Sequence, residues 1–303
     1  MNRVNWRIYR LAYYGKIWMP DRMYLKLKYR LLMNRKLHLH NPKMFTEKIQ
    51  WIKLNYHNPI YTTMADKYAV RDYVRNIIGE EYLIPLIGVY EKWDDINFTD
   101  LPDSFVIKCN HDSGSVQICN NKKTWDSDLA KQIITNSLRH NYYPYSREWQ
   151  YKNIKPCIII EELLVEKSLN EKQGLLGLLD YKFFCFNGEP KFLYVSYNYL
   201  KNGQKHTQLI NLDLDWKKTE FRRSDEPELE FEIKKPKQFD KMIELAKLLS
   251  KNVPFVRIDF YNPDNRIYFS EITFCPTGGF IPFDPPIYDR IYGDMLELPK
   301  KMR

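Results

Sequence analysis

Residues 255–273 read Phe255-Val256-Arg257-Ile258-Asp259-Phe260-Tyr261-Asn262-Pro263-Asp264-Asn265-Arg266-Ile267-Tyr268-Phe269-Ser270-Glu271-Ile272-Thr273. Two alternating apolar runs flank Asn262-Pro263-Asp264-Asn265, the composition of a hairpin turn. Side chains in a strand alternate faces, so residues two apart point the same way. Glu271 and Thr273 therefore share a face, and a hairpin register can bring Asp259 and Arg257 onto it. Two carboxylates and a hydroxyl converging there form a hard-oxygen set. Such a set suits magnesium, which takes one or two carboxylates and fills its other positions with phosphate oxygens and water. A surface hairpin with its charges in solvent has the same local pattern, and the rest of the chain decides between the two.

The chain has 303 residues, 44% of them hydrophobic, and a net charge of +9. That length supports a substantial core. No run approaches the ~18 apolar residues of a membrane span, and no secretory signal is visible. The expected location is the cytoplasm. The five cysteines, Cys109, Cys119, Cys157, Cys185 and Cys275, form no CxxC pair and read as buried reduced thiols. The six histidines are scattered, and His38 with His40 is too little for a zinc site. The basic balance suits polyanionic partners. No nucleic-acid-binding signature accompanies it, so nucleic acid is not an expected partner.

Trp6, Tyr9, Tyr13, Tyr14, Trp18, Tyr24 and Tyr29 interleave with arginines and lysines near the start of the chain. Aromatic-basic helices favour the membrane interface, and the same stripe also fits a helix packed on the body of the protein. Asn41-Pro42 breaks the chain. Helices are expected over residues 45–54, 64–77, 125–141 and 239–249. Strands are expected over 82–90 (interrupted by Pro85), 104–109, 116–119, 156–164, 180–186, 191–197 and 208–212. Asn187-Gly188 makes a hairpin turn.

Four features then fall in order. Lys108 ends an apolar strand and precedes a loop containing Ser113-Gly114-Ser115. A buried strand ends in Glu161-Glu162-Leu163-Leu164. Lys182 lies inside the strand Asp180-Tyr181-Lys182-Phe183. Arg257, Asp259, Glu271 and Thr273 close the series.

This order resembles the ATP-grasp superfamily, in which two α/β subdomains clasp ATP, and the likeness covers about residues 61–295. More narrowly, the chain is similar to the TupA-like group, linked to teichuronopeptide and capsular polysaccharide synthesis. The matching words are residues 41–51 (Asn41-Pro42-Lys43-Met44-Phe45 onward), Asp66-Lys67-Tyr68-Ala69-Val70-Arg71, residues 105–111, residues 180–188 and Glu271-Ile272-Thr273-Phe274. The resemblance implies an α/β (α+β) ATP-grasp fold with an N-terminal helical, basic-aromatic extension. The implied divisions are 1–60 (extension), 61–105 (N-terminal α/β subdomain), 106–164 (lid) and 165–303 (catalytic core).

It also implies roles. Lys67, Lys108 and Lys182 would face the nucleotide, and Ser113, Gly114 and Ser115 would close over its phosphates. Residues Glu161, Glu162, Leu163 and Leu164 would form the adenine hinge. Asp259, Glu271 and Thr273 would bind magnesium, with Arg257 and Lys182 catalytic. Thr273 stands where many members carry Asn, and the phosphate loop has a single glycine. The implied cofactors are ATP and magnesium. The implied activity is carboxylate–amine ligation through an acyl phosphate, on an acidic sugar or glycan and an amine. The aromatic-basic stripe, in its membrane reading, would give residues 1–40 peripheral contact with the inner membrane face. A glycosyltransferase, a sugar kinase and a non-catalytic binding module are the alternatives.

Overall fold

The computed structural model describes residues 18–166, 178–201 and 204–302. Two antiparallel sheets organise them. The first contains β1 (Leu86–Tyr90), β2 (Phe105–Cys109), β3 (Gln117–Cys119) and β4 (Ile158–Glu162), in the order β1-β4-β2-β3. Its apolar face packs Phe105, Ile107, Ile158 and Ile160 against Ile134 of the helix Ser127–Leu138. Asp126 starts that helix, its carboxylate accepting from Leu129 N at 2.9 Å.

The second sheet contains β5 (Leu179–Phe186), β6 (Glu189–Lys201), β7 (Gln204–Asp213), β9 (Phe255–Tyr261) and β10 (Tyr268–Thr273), in the order β10-β9-β5-β6-β7. A short ladder joins β8 (Arg222–Arg223) to β11 (Phe283–Asp284). Asn187 and Gly188 turn the chain between β5 and β6 with φ of 50° and 82°, as that dipeptide requires. The helix Phe239–Ser250 covers one face of the large sheet with Phe239, Met242, Leu245 and Leu249. The helix Phe45–Asn55 closes the end of the same core. Its Phe45 ring lies edge-on to Phe255, centroids 4.7 Å apart. Emptying a buried site of this kind costs about 3–5 kcal/mol.

Several expectations need correction. The helix expected over 64–77 is two helices, Ile60–Ala65 and Val70–Ile77. Asp66 separates them, its carboxylate accepting from Tyr68 N and Ala69 N, which spends that oxygen on a turn rather than a helix. The strand expected from residue 82 begins at Leu86, after Pro85. The expected boundary between residues 105 and 106 falls inside β2, and β1 belongs to the same sheet as β2. Residues 45–77 share the large core with the second sheet rather than standing apart from it.

The aromatic-basic segment divides. Its residues before 18 lie outside the described ones. The helix Asp21–Met33 buries Tyr24, Leu25 and Tyr29 against Trp51 and Phe280. Tyr24 and Tyr29 are thus core residues, while Trp18 is exposed. No helix among the described residues is long and apolar enough to cross a membrane.

Candidate active site

Strand register places four polar side chains in one line across the large sheet. Tyr194 on β6 pairs with Lys182 on β5, Lys182 with Asp259 on β9, and Asp259 with Glu271 on β10. Directly opposed residues share a face, so the line forms a continuous polar row on the face opposite the Phe239–Ser250 helix. Arg257 lies two residues from Asp259 and opposite Thr273, on that same face.

The bonds are dense. Lys182 Nζ bonds Asp180 and lies 2.7 Å from Asp259 Oδ2. Arg257 donates from Nε to Asp259 Oδ1 at 2.7 Å, and from Nη2 to Glu271 Oε1 at 2.8 Å and Thr273 Oγ1 at 3.1 Å. Burial pushes the Asp259 carboxyl up to about 6, even though Arg257 and Lys182 draw it down. Burial also opposes ionisation of Glu271. There Arg257, Lys182 and Lys67 prevail and hold it well below the usual carboxylate range. Lys182 stays protonated: Asp180 and Asp259 outweigh its burial.

Lys67 reaches this face from the break between the two helices. Its backbone N–H donates to Asn110 O at 3.0 Å, and its ammonium donates to Asp112 O. Burial lowers its pKa, with Glu271 and Asp112 opposing. Lys108, the third lysine expected at the nucleotide, lies near enough to Lys67 to add to that lowering, and it has a carboxylate partner of its own. Lys108 pairs with Glu161 Oε2 at 2.7 Å, and Arg71 holds Glu161 Oε1 at 3.0 Å. Both Glu161 oxygens are thereby taken and the residue is buried. Its carboxylate, clamped by two cations, braces the end of the strand expected to meet adenine. Glu162 is exposed and Leu163 and Leu164 are half-buried beyond the strand end.

The loop expected to close over the phosphates divides in the same way. Ser113 and Gly114 are exposed at its tip, and Gly114 has φ of 131°, a conformation open to glycine. Ser115 is buried, accepting from Cys109 N at 2.9 Å and donating to Asp112 Oδ1 at 2.6 Å. It braces the loop instead of lining it.

A hard cation needs open oxygens. Glu271 is 36% exposed, its bonds among the described residues fall on Oε1, and Thr273 Oγ1 stands 3.2 Å away. Asp259 is fully buried with both oxygens bonded to Arg257 or Lys182. The donor set therefore fits magnesium at Glu271 and Thr273. Asp259, the third expected ligand, is the anion that fixes Arg257 and Lys182 in this arrangement. Among the described residues, His, Cys, Asp and Glu form no metal-binding group of three.

Sequence reasoning missed Asp180, Tyr194, Arg71 and Arg223. Asp180 had a signal, since it lies two residues before Lys182 and so shares its face. Tyr194 is visible only through strand register. Arg71 acts from a helix, and Arg223 from a two-residue strand with no local pattern. Asp180 Oδ1, Ser196 Oγ and Asn211 Oδ1, all on the polar face, are buried without a hydrogen-bond partner among the described residues. Buried polar atoms of this kind take water or a ligand.

The family profile described as TupA-like ATPgrasp matches residues 47–297. No curated protein matches the chain. Solved structures that resemble it include D-alanine–D-alanine ligase from Bacillus anthracis, at 14% identity and a TM-score of 0.41, over 75% of this chain and 59% of that one. Another is the ATP-grasp ligase PsnB complexed with minimal precursor, at 11% identity and a TM-score of 0.41, over 82% of this chain and 67% of that one. The chain thus spans 59% of the length of the first of these.

Proposed function

Because the chain belongs to the TupA-like ATP-grasp family, we propose that it is an ATP- and magnesium-dependent carboxylate–amine ligase serving cell-surface polysaccharide synthesis. The observation that carries this reading is the polar row Tyr194–Lys182–Asp259–Glu271, with Arg257 bonded along it. A row of fixed cations and carboxylates is what phosphoryl transfer needs, since that reaction depends on positioning and charge neutralisation.

Lys67 and Lys182 would meet phosphate oxygens as charge-assisted donors. Lys108 would join them by leaving Glu161, which keeps Arg71 as partner. Backbone N–H groups at Ser113 and Gly114 would close over the phosphates. Leu163 and Leu164 would offer apolar surface to the base. Magnesium, held by Glu271 and Thr273, would neutralise phosphate charge. Asp259 would join them only by releasing Arg257 or Lys182.

A carboxylate oxygen of the acid would attack the γ-phosphorus. The bond from that phosphorus to the bridging oxygen would break and ADP would leave. The amine would then attack the acyl carbon, the carbon–oxygen bond to phosphate would break, and the amine proton would pass to solvent. Arg257 would stabilise the oxyanion of the second step, a contribution of about 3–4 kcal/mol for a donor of this kind. The acid is an acidic sugar or glycan in this reading, and the basic-aromatic residues 1–17 make peripheral membrane contact.

The test is to incubate the protein with ATP, magnesium and panels of uronic acids and amino compounds, and to weigh the products. An amide formed with ADP and phosphate supports the reading. Release of UDP or GDP from a sugar nucleotide, with ATP dispensable, contradicts it.

A further inference from the structure

Tyr194 Oη accepts two guanidinium bonds, from Arg257 Nη1 at 3.0 Å and Arg223 Nη1 at 3.4 Å. A phenol oxygen has two lone pairs, so its own O–H must donate elsewhere. No acceptor for it exists among the described residues. Each Nη1 also carries a second N–H, and no described residue accepts either. Three donors, two of them cationic, therefore lie around Tyr194 Oη without an acceptor among the described residues.

Their directions are fixed. Arg223 is held by Asp225, from Nε at 3.0 Å and Nη2 at 2.6 Å, and by Thr277 Oγ1 at 3.2 Å. That fork occupies one edge of the guanidinium and turns Nη1 toward Tyr194. Thr277 is placed by a left-handed run, Thr277, Gly278 and Gly279, with φ of 52°, 62° and 76°. A Cβ on Gly279 would meet Ile49 Cγ2 at 2.5 Å. Gln50 and Lys53 bind the loop's carbonyls from the Phe45–Asn55 helix. Arg257 is oriented by Asp259. Both guanidinium side chains are nearly buried, at 10% and 8% exposure, whereas Asp225 and Thr277, which hold Arg223, are exposed.

We propose that Arg223, Tyr194 and Arg257 form the subsite for the carboxylate of the acid substrate, an assignment that rests on the ligase reading above. Two like charges sharing one neutral acceptor repel, and an anion between them removes that repulsion. A carboxylate offers only acceptors and takes all three donors. A sugar hydroxyl carries its own proton and leaves cationic donors unpaired. The subsite adjoins the nucleotide side through Arg257, whose Nη2 bonds Glu271 and Thr273.

The test titrates D-glucuronate, D-galacturonate and N-acetyl-L-alanine into the full chain by calorimetry, each against its neutral counterpart (D-glucose, D-galactose, N-acetyl-L-alaninamide). Runs are made with and without magnesium and a non-hydrolysable ATP analogue. At least one carboxylate should bind where its neutral counterpart does not. Arg223→Gln should weaken it by about tenfold or more and leave analogue affinity unchanged, and Arg223→Lys should restore part of the loss. Analogue binding also reports that the variants are folded. No preference for any carboxylate, or Arg223→Gln affinity within roughly twofold of wild type, overturns the subsite. Failure of the wild type to bind the ATP analogue overturns the ligase reading separately.

Discussion

Asp259 and Glu271 face each other directly across β9 and β10, yet Asp259 is fully buried and Glu271 is 36% exposed. One carboxylate serves the sheet and the other looks outward. Substituting them should therefore produce different defects. Asp259→Asn removes an anion bonded to two buried cations and should cost about 3 kcal/mol of stability. Glu271→Gln, at a half-exposed position, should cost less stability than Asp259→Asn and lower turnover by about 10²–10³. Urea denaturation and steady-state rates separate the two. Equal loss of stability in both variants would contradict the division.

The two strand lysines should also differ. Lys108 has Glu161 as partner, and Glu161 keeps Arg71 when Lys108 is removed. Lys108→Ala should therefore weaken ATP-analogue binding, by about tenfold for one charged contact, with little loss of stability. Lys182 is shared by two buried carboxylates. Lys182→Ala should lower both nucleotide affinity and the thermal midpoint, because Asp180 and Asp259 then lose the ammonium they share. Calorimetric titration and thermal melts check this; unchanged affinity in both variants would remove the lysines from the nucleotide site.

Lys28 supplies a pH test of the fold. Burial, together with Lys53, lowers its pKa from the ordinary 10.5 to about 8. Its ammonium donates to Tyr145 O at 2.9 Å. A lysine with a lower pKa folded than unfolded binds fewer protons in the folded state, so stability rises with pH between those two values. The stability of wild type relative to Lys28→Met should increase from pH 8 toward 10.5 and be level below pH 8. A difference that falls over that range would contradict the burial.

Residues 1–40 should separate into two functions. Leu25 is fully buried, and Leu25→Ala should cost about 2–5 kcal/mol. Deleting residues 1–17 should instead lower co-sedimentation with anionic vesicles, since each cation near such a surface contributes about 1 kcal/mol. Equal pelleting with and without residues 1–17 would remove the membrane role.

The hairpin at 255–273 was legible because its period of two, its turn residues and its acids agree. Arg257, Asp259, Glu271 and Thr273 do meet on one face. What the chain does not print locally is register. The alignment of Tyr194 with Lys182 depends on where the Asn187-Gly188 turn sets the count. Nor does it print which carboxylate finds which cation. Glu161 looks like a free strand-end acid until Arg71 and Lys108 arrive from other elements. Ser115 looks like a loop hydroxyl until Asp112 and Cys109 N claim it. The apolar period through residues 64–77 concealed the Asp66 turn that presents Lys67, although an Asp followed by two residues it can cap was the available sign.

Trapping with hydroxylamine distinguishes an acyl phosphate from every alternative intermediate. The protein is incubated with ATP, magnesium and each acid of the panel, without amine, and then with hydroxylamine. An acyl phosphate is an electrophile that hydroxylamine intercepts. A ligase should give a hydroxamate of the true acid, with ADP and phosphate in equal amounts, and should lose it in Glu271→Gln. ADP formed without free phosphate, with the phosphoryl group retained on a sugar hydroxyl and no hydroxamate, would contradict the ligase reading.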